Sequence, residues 1–235
     1  MVDVVLAGPG KNALSTSVMR AALTALRAAA GEPVLLHGAG DAFSAGLNLK
    51  EIASLDAAGM TSFLELLDEL IVALLTHDAP VVAWVNGHAI AGGAVLALAC
   101  DERIGLTAES ATACRIGLNE VAIGLTFPPR VLRLAAARLS PQHHARVLCG
   151  ADLFSPSEAL SRGLLDALAD EATARARLSA LAAHPRAAFV ATRRALLRSV
   201  LELDPRDVDE YRERTLPAWQ SPELRAAVLG TLARR

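Results

Sequence analysis

Residues 80–85, PVVAWV, constrain the possible folds of this chain more than any other segment. Every residue after the proline is apolar, which is typical of a parallel strand that is covered on both faces. The next residues, NGHAIAGG, are rich in glycine and lead into the apolar helix pattern AVLALAC. A buried strand that passes through a tight turn into a helix predicts an α/β domain with helices on both sides of its sheet.

Strand and helix patterns alternate through the first 170 residues. A helix pattern with Ser/Thr caps in residues 15–31 lies between two short apolar strands, and this order predicts a buried parallel pair. A longer helix pattern in residues 57–80 carries one apolar stripe and is stopped by Pro80. Further patterns predict strands in residues 101–107, 111–117 and 164–168, and three short helices between residues 128 and 163.

The pattern changes to nearly continuous helix from about Glu171. We therefore expect a core of residues 1–170 and a C-terminal helical region of residues 171–235. Hydrophobic residues make up 53% of the chain and aromatic residues only 3%, so the core is expected to consist of Leu, Val, Ile and Ala. The low aromatic content and surplus apolar surface also indicate a buried subunit interface.

Composition argues against several classes of function. The net charge of −2 gives no strongly basic surface, so nucleic acid is not an expected partner. Three cysteines without a CxxC pair favour neither a disulfide framework nor a metal site. The apolar runs are far shorter than the ~20 residues of a membrane span, and the N-terminus lacks a signal-peptide pattern. We therefore expect a cytoplasmic protein with no membrane association.

Two glycine-rich loops are candidates for chemistry performed by the backbone. The first is GDAFSAGLNLKEI, residues 40–52, and the second is AGG, residues 91–93, at the start of a helix. Small residues let a ligand reach main-chain N–H groups, and a helix start offers unsatisfied donors to an anion or a developing oxyanion. Neither segment matches GxGxxG or GxxxxGK[ST]. The alternatives are a flexible connection and a tight turn whose glycines only permit close packing.

Glu120 is the candidate catalytic carboxylate. It lies in the segment RIGLNEVAIGL with Leu118, Val121, Ile123 and Leu125 around it. A carboxylate that is desolvated by such neighbours has a raised pKa and can act as a general base. The alternative is an exposed glutamate at a turn.

For several other polar and aromatic residues, a structural role is expected or is the alternative to a functional one. His88 in the second loop either lines a pocket or is a turn histidine with satisfied hydrogen bonds. Cys100 and Cys114 are expected to be small core residues. Trp84 and Trp219 are expected to be anchors of the core or of an interface.

Four motifs in order resemble the crotonase superfamily, also called the enoyl-CoA hydratase/isomerase family. AFSAGLNLKEI is similar to its first oxyanion-loop motif, and PVVAWVNGHAIAGGAVLALACDERIG is similar to its second. IGLNEVAIGL is similar to the segment that carries a catalytic glutamate, and GADLFSPSEALSRGLLDAL resembles the element that follows. The resemblance implies an α/β fold: a crotonase-like (ClpP-like) superhelix of ββα units with a C-terminal helical trimerisation region.

The resemblance also implies roles for individual residues. The N–H groups of Leu47 and Gly92 would form an oxyanion hole for a thioester carbonyl, with Glu120 as the catalytic acid/base. The residues expected to bind the coenzyme A thioester are Ala45, Gly46, Leu49, Gly93 and Val95. Two departures from the family pattern are Asn48, where an aspartate is usual, and a start that lacks the usual extra N-terminal strand. They leave carrier-protein thioesters open as a substrate form.

Val95 favours one reaction within the family. Hydratases of the family place a first glutamate where this chain has Val95 and a second where it has Glu120. Moving a double bond from C3 to C2 needs only one carboxylate. We therefore expect an enoyl-CoA isomerase with no metal and no cofactor beyond coenzyme A in the substrate, assembled as a homotrimer or a dimer of trimers. The alternatives are a hydratase, another crotonase reaction such as decarboxylation or thioester hydrolysis, and a non-catalytic subunit of a partner enzyme.

Overall fold

A computed structural model of the protein describes residues 1–107 and 113–233. Its strands are β1 Val2–Leu6, β2 Val34–Gly38, β3 Ala42–Ser44, β4 Val81–Val85, β5 His88–Ile90, β6 Glu102–Leu106, β7 Ile116–Gly117 and β8 Ala167–Ala169. Its helices are α1 Pro9–Asn12, α2 Thr16–Ala28, α3 Leu49–Ser54, α4 Ala57–Thr76, α5 Gly92–Leu98, α6 Pro129–Arg138, α7 Pro141–His144, α8 Pro156–Ser161, α9 Glu171–Ala182, α10 Arg186–Leu196, α11 Arg198–Leu201, α12 Pro205–Glu210, α13 Leu216–Trp219 and α14 Pro222–Ala233. A 3₁₀-helix covers Glu120–Ile123, and π-helical turns cover Ala145–Cys149 and Tyr211–Thr215.

A five-stranded parallel sheet in the order β1-β2-β4-β6-β8 forms the centre of the fold. The predicted parallel pairing of the first two strands is confirmed. Strand β4 is buried along its whole length, as its apolar sequence predicts. Val82 and Trp84 face a small cluster beneath α9, whereas Val81, Ala83 and Val85 face the main core. Alternate side chains of one strand therefore pack in two separate layers, and an all-apolar strand satisfies both.

A second parallel sheet, in the order β3-β5-β7, was not predicted as a separate sheet. Its strands have only two or three residues each, so they show no alternation that a sequence pattern could reveal. The strand predicted in residues 111–117 is confirmed only as β7, and residues 111 and 112 lie outside the described part of the chain. This small sheet matters for function because the loops after its three strands build the candidate site.

The two main predicted helices of the core are confirmed as α2 and α4. Ser15 caps α2 by accepting a hydrogen bond from the N–H of Val18. Along α4, Phe63, Leu67 and Leu70 belong to a stripe that is buried in the main core. Asp56 caps this helix through the N–H of Gly59, and the helix ends four residues before Pro80.

The C-terminal helices pack back onto the core. Trp219, Leu224 and Val228 belong to the same hydrophobic cluster as the residues of α2 and α4. Helix α14 contacts α3 and the 3₁₀-helix at Glu120, so it lies beside the loops that follow the small sheet. The division at residue 170 and the trimer stay predictions. No helix in residues 1–107 or 113–233 is long and apolar enough to cross a membrane.

Gly93 permits a close approach of α5 to the small sheet. A methyl group added at Gly93 would lie 2.5 Å from the carbonyl oxygen of Ser44 and 2.9 Å from its Cβ atom. Ser44 is fully buried, and its hydroxyl donates to the carbonyl oxygen of Asn12 at 2.8 Å. The start of α5 therefore packs directly against the end of β3, and this close packing leaves no space for an added side-chain atom.

We expect Gly93→Ala to lower the free energy of unfolding by about 1–3 kcal/mol, the usual cost of overpacking a closed site. The matched control is Gly230→Ala in α14, where an added methyl group meets nothing within 4 Å. That variant should be neutral or more stable by up to about 1 kcal/mol, because alanine favours helix. Thermal unfolding of the two variants measures the difference. Equal melting temperatures would contradict the close approach at Ser44.

Candidate active site

The loop between β3 and α3 is held in one conformation by its own backbone and by residues near the N-terminus. The N–H of Leu14 donates to the carbonyl of Gly46 at 2.8 Å, and the N–H of Asn48 donates to the carbonyl of Leu14 at 3.0 Å. These bonds flank Leu47 and leave its own N–H unpaired among the described residues. Gly46 has φ of +88°, a left-handed conformation that glycine adopts without strain.

The turn between β5 and α5 has a strained residue at its apex. Ala91 has φ of +50° and ψ of −122°, a conformation that costs a non-glycine residue free energy and is typical of functional sites. Its N–H donates to the carbonyl of Gly117 at 2.8 Å, which ties the turn to β7. Gly92 is then the first residue of α5, where helix geometry leaves the N–H without an internal partner.

The two loops meet at Gly46 and Gly92. A methyl group added at Gly46 would lie 2.6 Å from the carbonyl oxygen of Ile90 and 3.5 Å from the nitrogen of Gly92. One added at Gly92 would lie 3.0 Å from the side chain of Leu47. The unpaired N–H groups of Leu47 and Gly92 therefore belong to adjacent stretches of backbone that line one cavity.

Glu120 lies in the same cavity at the start of the 3₁₀-helix that follows β7. Its side chain is buried, with 6% of the residue exposed, and its Oε2 atom has no hydrogen-bond partner in the described structure. Burial raises the pKa of Glu120 to about 7, and a backbone hydrogen bond only partly opposes this shift. The alternative of an exposed glutamate at a turn is wrong.

The cavity has a volume of about 70 Å³ and a mostly apolar lining. Of the predicted residues, Glu120, Leu47, Gly92, Ala45, Leu49 and Val95 line it. Gly46 and Gly93 do not line it and act by permitting the close contacts of the two loops. Within the described residues, Glu120 is the only ionisable side chain in the lining.

Several lining residues were not predicted from the sequence to belong to the site. They come from α4, from the residues on either side of the 3₁₀-helix, from α6 and from the C-terminal helices, and they include Leu67, Asn119, Phe127, Val131, Trp219 and Thr231. For Asn119, adjacency to Glu120 is the one available signal. The apolar residues carry the same helical spacing as core residues, so nothing in the sequence separates them from the core.

Other candidates have structural roles. His88 is not part of the cavity lining, and its Nδ1 atom accepts a hydrogen bond from the N–H of Arg115 at 3.1 Å. Burial lowers the pKa of His88, and nearby Lys11 adds to that effect. Cys100 and Cys114 are buried, as predicted for core residues. The side chain of Asn48 caps α3 by accepting from the N–H groups of Lys50 and Glu51, a role that aspartate performs equally well.

This arrangement supports proton transfer beside a carbonyl group. A carboxyl group with a pKa near neutrality can take up and return a proton at working pH. Two unpaired N–H groups can stabilise a negative charge that develops on oxygen. Across residues 1–107 and 113–233, no group of three or more His, Cys, Asp or Glu residues is placed to hold a metal ion.

Comparison with known sequences points to one family. Residues 1–217 match the family model described as enoyl-CoA hydratase/isomerase. The chain is 34% identical over 129 residues to "Enoyl-CoA delta isomerase 1, mitochondrial" of Mus musculus, a match that covers 55% of this chain and only 44% of the mouse protein. It is 32% identical over 206 residues to a "Probable enoyl-CoA hydratase" of Bacillus subtilis, covering 83% of this chain and 74% of that protein.

Solved structures show the same architecture over nearly the whole chain. The human mitochondrial delta3-delta2-enoyl-CoA isomerase superposes with a TM-score of 0.88 at 25% identity, covering 97% of this chain and 90% of that one. An enoyl-CoA hydratase of Mycobacterium ulcerans superposes with a TM-score of 0.77 at 26% identity, covering 98% and 93%. The fold class predicted from the four motifs is thereby confirmed. With its family match over residues 1–217, this chain belongs to the enoyl-CoA hydratase/isomerase family and has the crotonase fold.

Proposed function

We propose that this protein is an enoyl-thioester isomerase that moves a double bond from C3 to C2, with Glu120 as the proton shuttle. The observation that carries the proposal is the composition of the cavity lining. Among the residues that the structure describes, Glu120 is the single carboxylate there, and the position expected for a second one is the apolar Val95, which is 2% exposed. A double-bond shift needs one acid/base group, whereas hydration also needs a positioned water.

The proposed reaction has two proton transfers. The Glu120 carboxylate takes a proton from C2, and the C–H electron pair moves into a dienolate whose charge rests on the thioester oxygen. The N–H groups of Leu47 and Gly92 donate hydrogen bonds to that oxygen. The protonated Glu120 then delivers the same proton to C4, the electrons shift back, and a C2–C3 double bond remains. No atom is gained or lost.

The surroundings of Glu120 suit both halves of this cycle. A pKa of about 7 leaves a substantial fraction of the carboxylate ionised at neutral pH, and it makes the protonated form a competent acid. The apolar lining holds few competing hydrogen-bond donors, so the charge on Glu120 remains poorly solvated and reactive.

The substrate is proposed to be an acyl-CoA thioester, with coenzyme A as part of the substrate and no separate cofactor. The family match and the names of the relatives support this class. By its resemblance to the family, the loop that contains Gly46 and Leu49 is also proposed to hold the adenine end of coenzyme A, and a carrier-protein thioester is the alternative form of the substrate. A homotrimer or dimer of trimers and a cytoplasmic location are further expectations, although the mouse relative is named as mitochondrial.

Hydration is the second candidate reaction, because relatives that match most of this chain are named enoyl-CoA hydratases. Val95 separates the two reactions. Its side chain lines the cavity with Glu120, and it offers no group that holds or activates a water. Assays of both reactions on one preparation therefore decide between them.

We expect Glu120→Gln to reduce isomerisation of a 3-enoyl-CoA by about 10²–10⁴-fold, because the amide cannot act as a general base. The rate is measured from the appearance of the conjugated 2-enoyl thioester. Glutamine keeps the shape of the side chain and removes the buried charge, so the melting temperature at pH 8 should equal or exceed that of the wild type. A folded variant with unchanged turnover would refute the assignment of Glu120 and favour a non-catalytic role.

The pH dependence follows from the raised pKa of Glu120. Proton abstraction needs the carboxylate, so kcat/KM should be low at pH 5, rise tenfold per pH unit below the pKa and level off above about pH 7. An unperturbed glutamate would give a plateau above about pH 5. A profile that is flat between pH 5 and 8 would show that Glu120 is not desolvated in the working enzyme.

The apolar side chain of Val95 predicts a strong preference for isomerisation over hydration. The wild type should isomerise a 3-enoyl-CoA at least about 10²-fold faster than it hydrates the matching 2-enoyl-CoA. Val95→Glu should raise the ratio of hydration to isomerisation, and the matched control Val95→Gln, which has no carboxylate, should not. Rapid hydration by the wild type would overturn the argument from Val95 and assign the protein to the hydratases.

A further inference from the structure

Trp219 lies between the catalytic cavity and a second, separate space. Within the described residues it is the one side chain that lines both. The second space has a volume of about 30 Å³, and Ile52, Leu55, Met60 and Leu224 form its apolar part. Its outer part is bordered by the exposed residues Asp56 and Arg225, so the space leads toward the protein surface.

The indole ring of Trp219 is held firmly in this position. The residue is 3% exposed and belongs to the main hydrophobic core. Its Nε1–H donates a hydrogen bond to the carbonyl oxygen of Thr126 at 2.9 Å. A buried indole that swung aside would lose this bond and leave the carbonyl without its partner. The partition is therefore a fixed wall of the cavity.

The volume in front of this wall is small. About 70 Å³ is roughly half of the ~150 Å³ of an apolar protein cavity that holds benzene. The same space also contains the reacting part of the substrate, because Leu47, Gly92 and Glu120 line it. Little room remains for the rest of an acyl chain, since Leu67, Phe127 and Val131 also line the cavity.

We propose that Trp219 sets the acyl-chain length, so that the enzyme selects short-chain enoyl thioesters of about four to six carbons. This inference rests on the proposed function for the position of the acyl group in the cavity. A longer chain has no path past the indole ring. Removing the ring joins the cavity to the second space, and the path then runs past Ile52 and Leu224 toward Asp56 and Arg225.

The test measures binding of saturated acyl-CoA thioesters, because these bind without reacting. Calorimetry with butanoyl-, hexanoyl- and decanoyl-CoA is performed on the wild type, Trp219→Ala and Trp219→Phe. The wild type should bind hexanoyl-CoA at least about 10-fold more tightly than decanoyl-CoA, since a small, mostly apolar pocket discriminates by size. Trp219→Ala should reverse this order. Trp219→Phe loses the N–H donor but keeps a ring as the partition, so it should retain the wild-type order.

The outcomes separate this inference from the proposed reaction. Equal or tighter binding of decanoyl-CoA by the wild type overturns the chain-length role of Trp219. An unchanged order of binding in a Trp219→Ala variant that unfolds cooperatively overturns it as well.

If Trp219→Ala does not fold, the binding orders of the wild type and of Leu67→Ala test the inference instead. Leu67→Ala enlarges the cavity without removing the wall formed by Trp219. In that variant hexanoyl-CoA should still bind more tightly than decanoyl-CoA, and a reversed order would show that Trp219 does not limit the chain length.

Size selection without any isomerisation of hex-3-enoyl-CoA would refute the proposed isomerase reaction and leave the role of Trp219 intact.

Discussion

The contact between two stretches of backbone, the loop after β3 and the turn after β5, is the constraint on which the candidate site depends. Gly93 lets α5 press against Ser44, and Gly46 lets the first loop reach Ile90 and Gly92. A side chain at either glycine would push the two loops apart by more than a hydrogen bond tolerates. Leu47 and Gly92 line one cavity because their two loops are in close contact.

Two features that lower the stability of the fold lie in the candidate active site. Ala91 keeps a positive φ next to Gly92, and one carboxylate oxygen of Glu120 is buried with no hydrogen-bond partner in the described part of the chain. Both features lower stability, and the remaining structure holds them in place through parallel sheets and a continuous core. Backbone N–H groups that are held in fixed positions can stabilise a negative charge that develops on oxygen. A desolvated glutamate can take up and return a proton near neutral pH.

The main sheet, the capped helices and the family could be predicted because each leaves a local pattern. The run of apolar residues in β4 required cover on both faces, and the structure supplies it from α9 and from the main core. The small sheet could not be recognised in the same way, because strands of two or three residues carry no period. Trp219 and Thr231 could not be assigned to the site either. They lie about a hundred residues beyond Glu120, and only packing brings them into its cavity.

By itself, the sequence determined which groups are available: glycines at both loops, one glutamate in an apolar segment, and a valine where a second carboxylate is otherwise expected. These are properties of residue type and order, so they are readable without coordinates. Only the tertiary structure decided how desolvated Glu120 is, which N–H groups remain unpaired, and how far the cavity extends. Those quantities depend on side chains from distant parts of the chain, and burial and free volume arise only when the chain is packed.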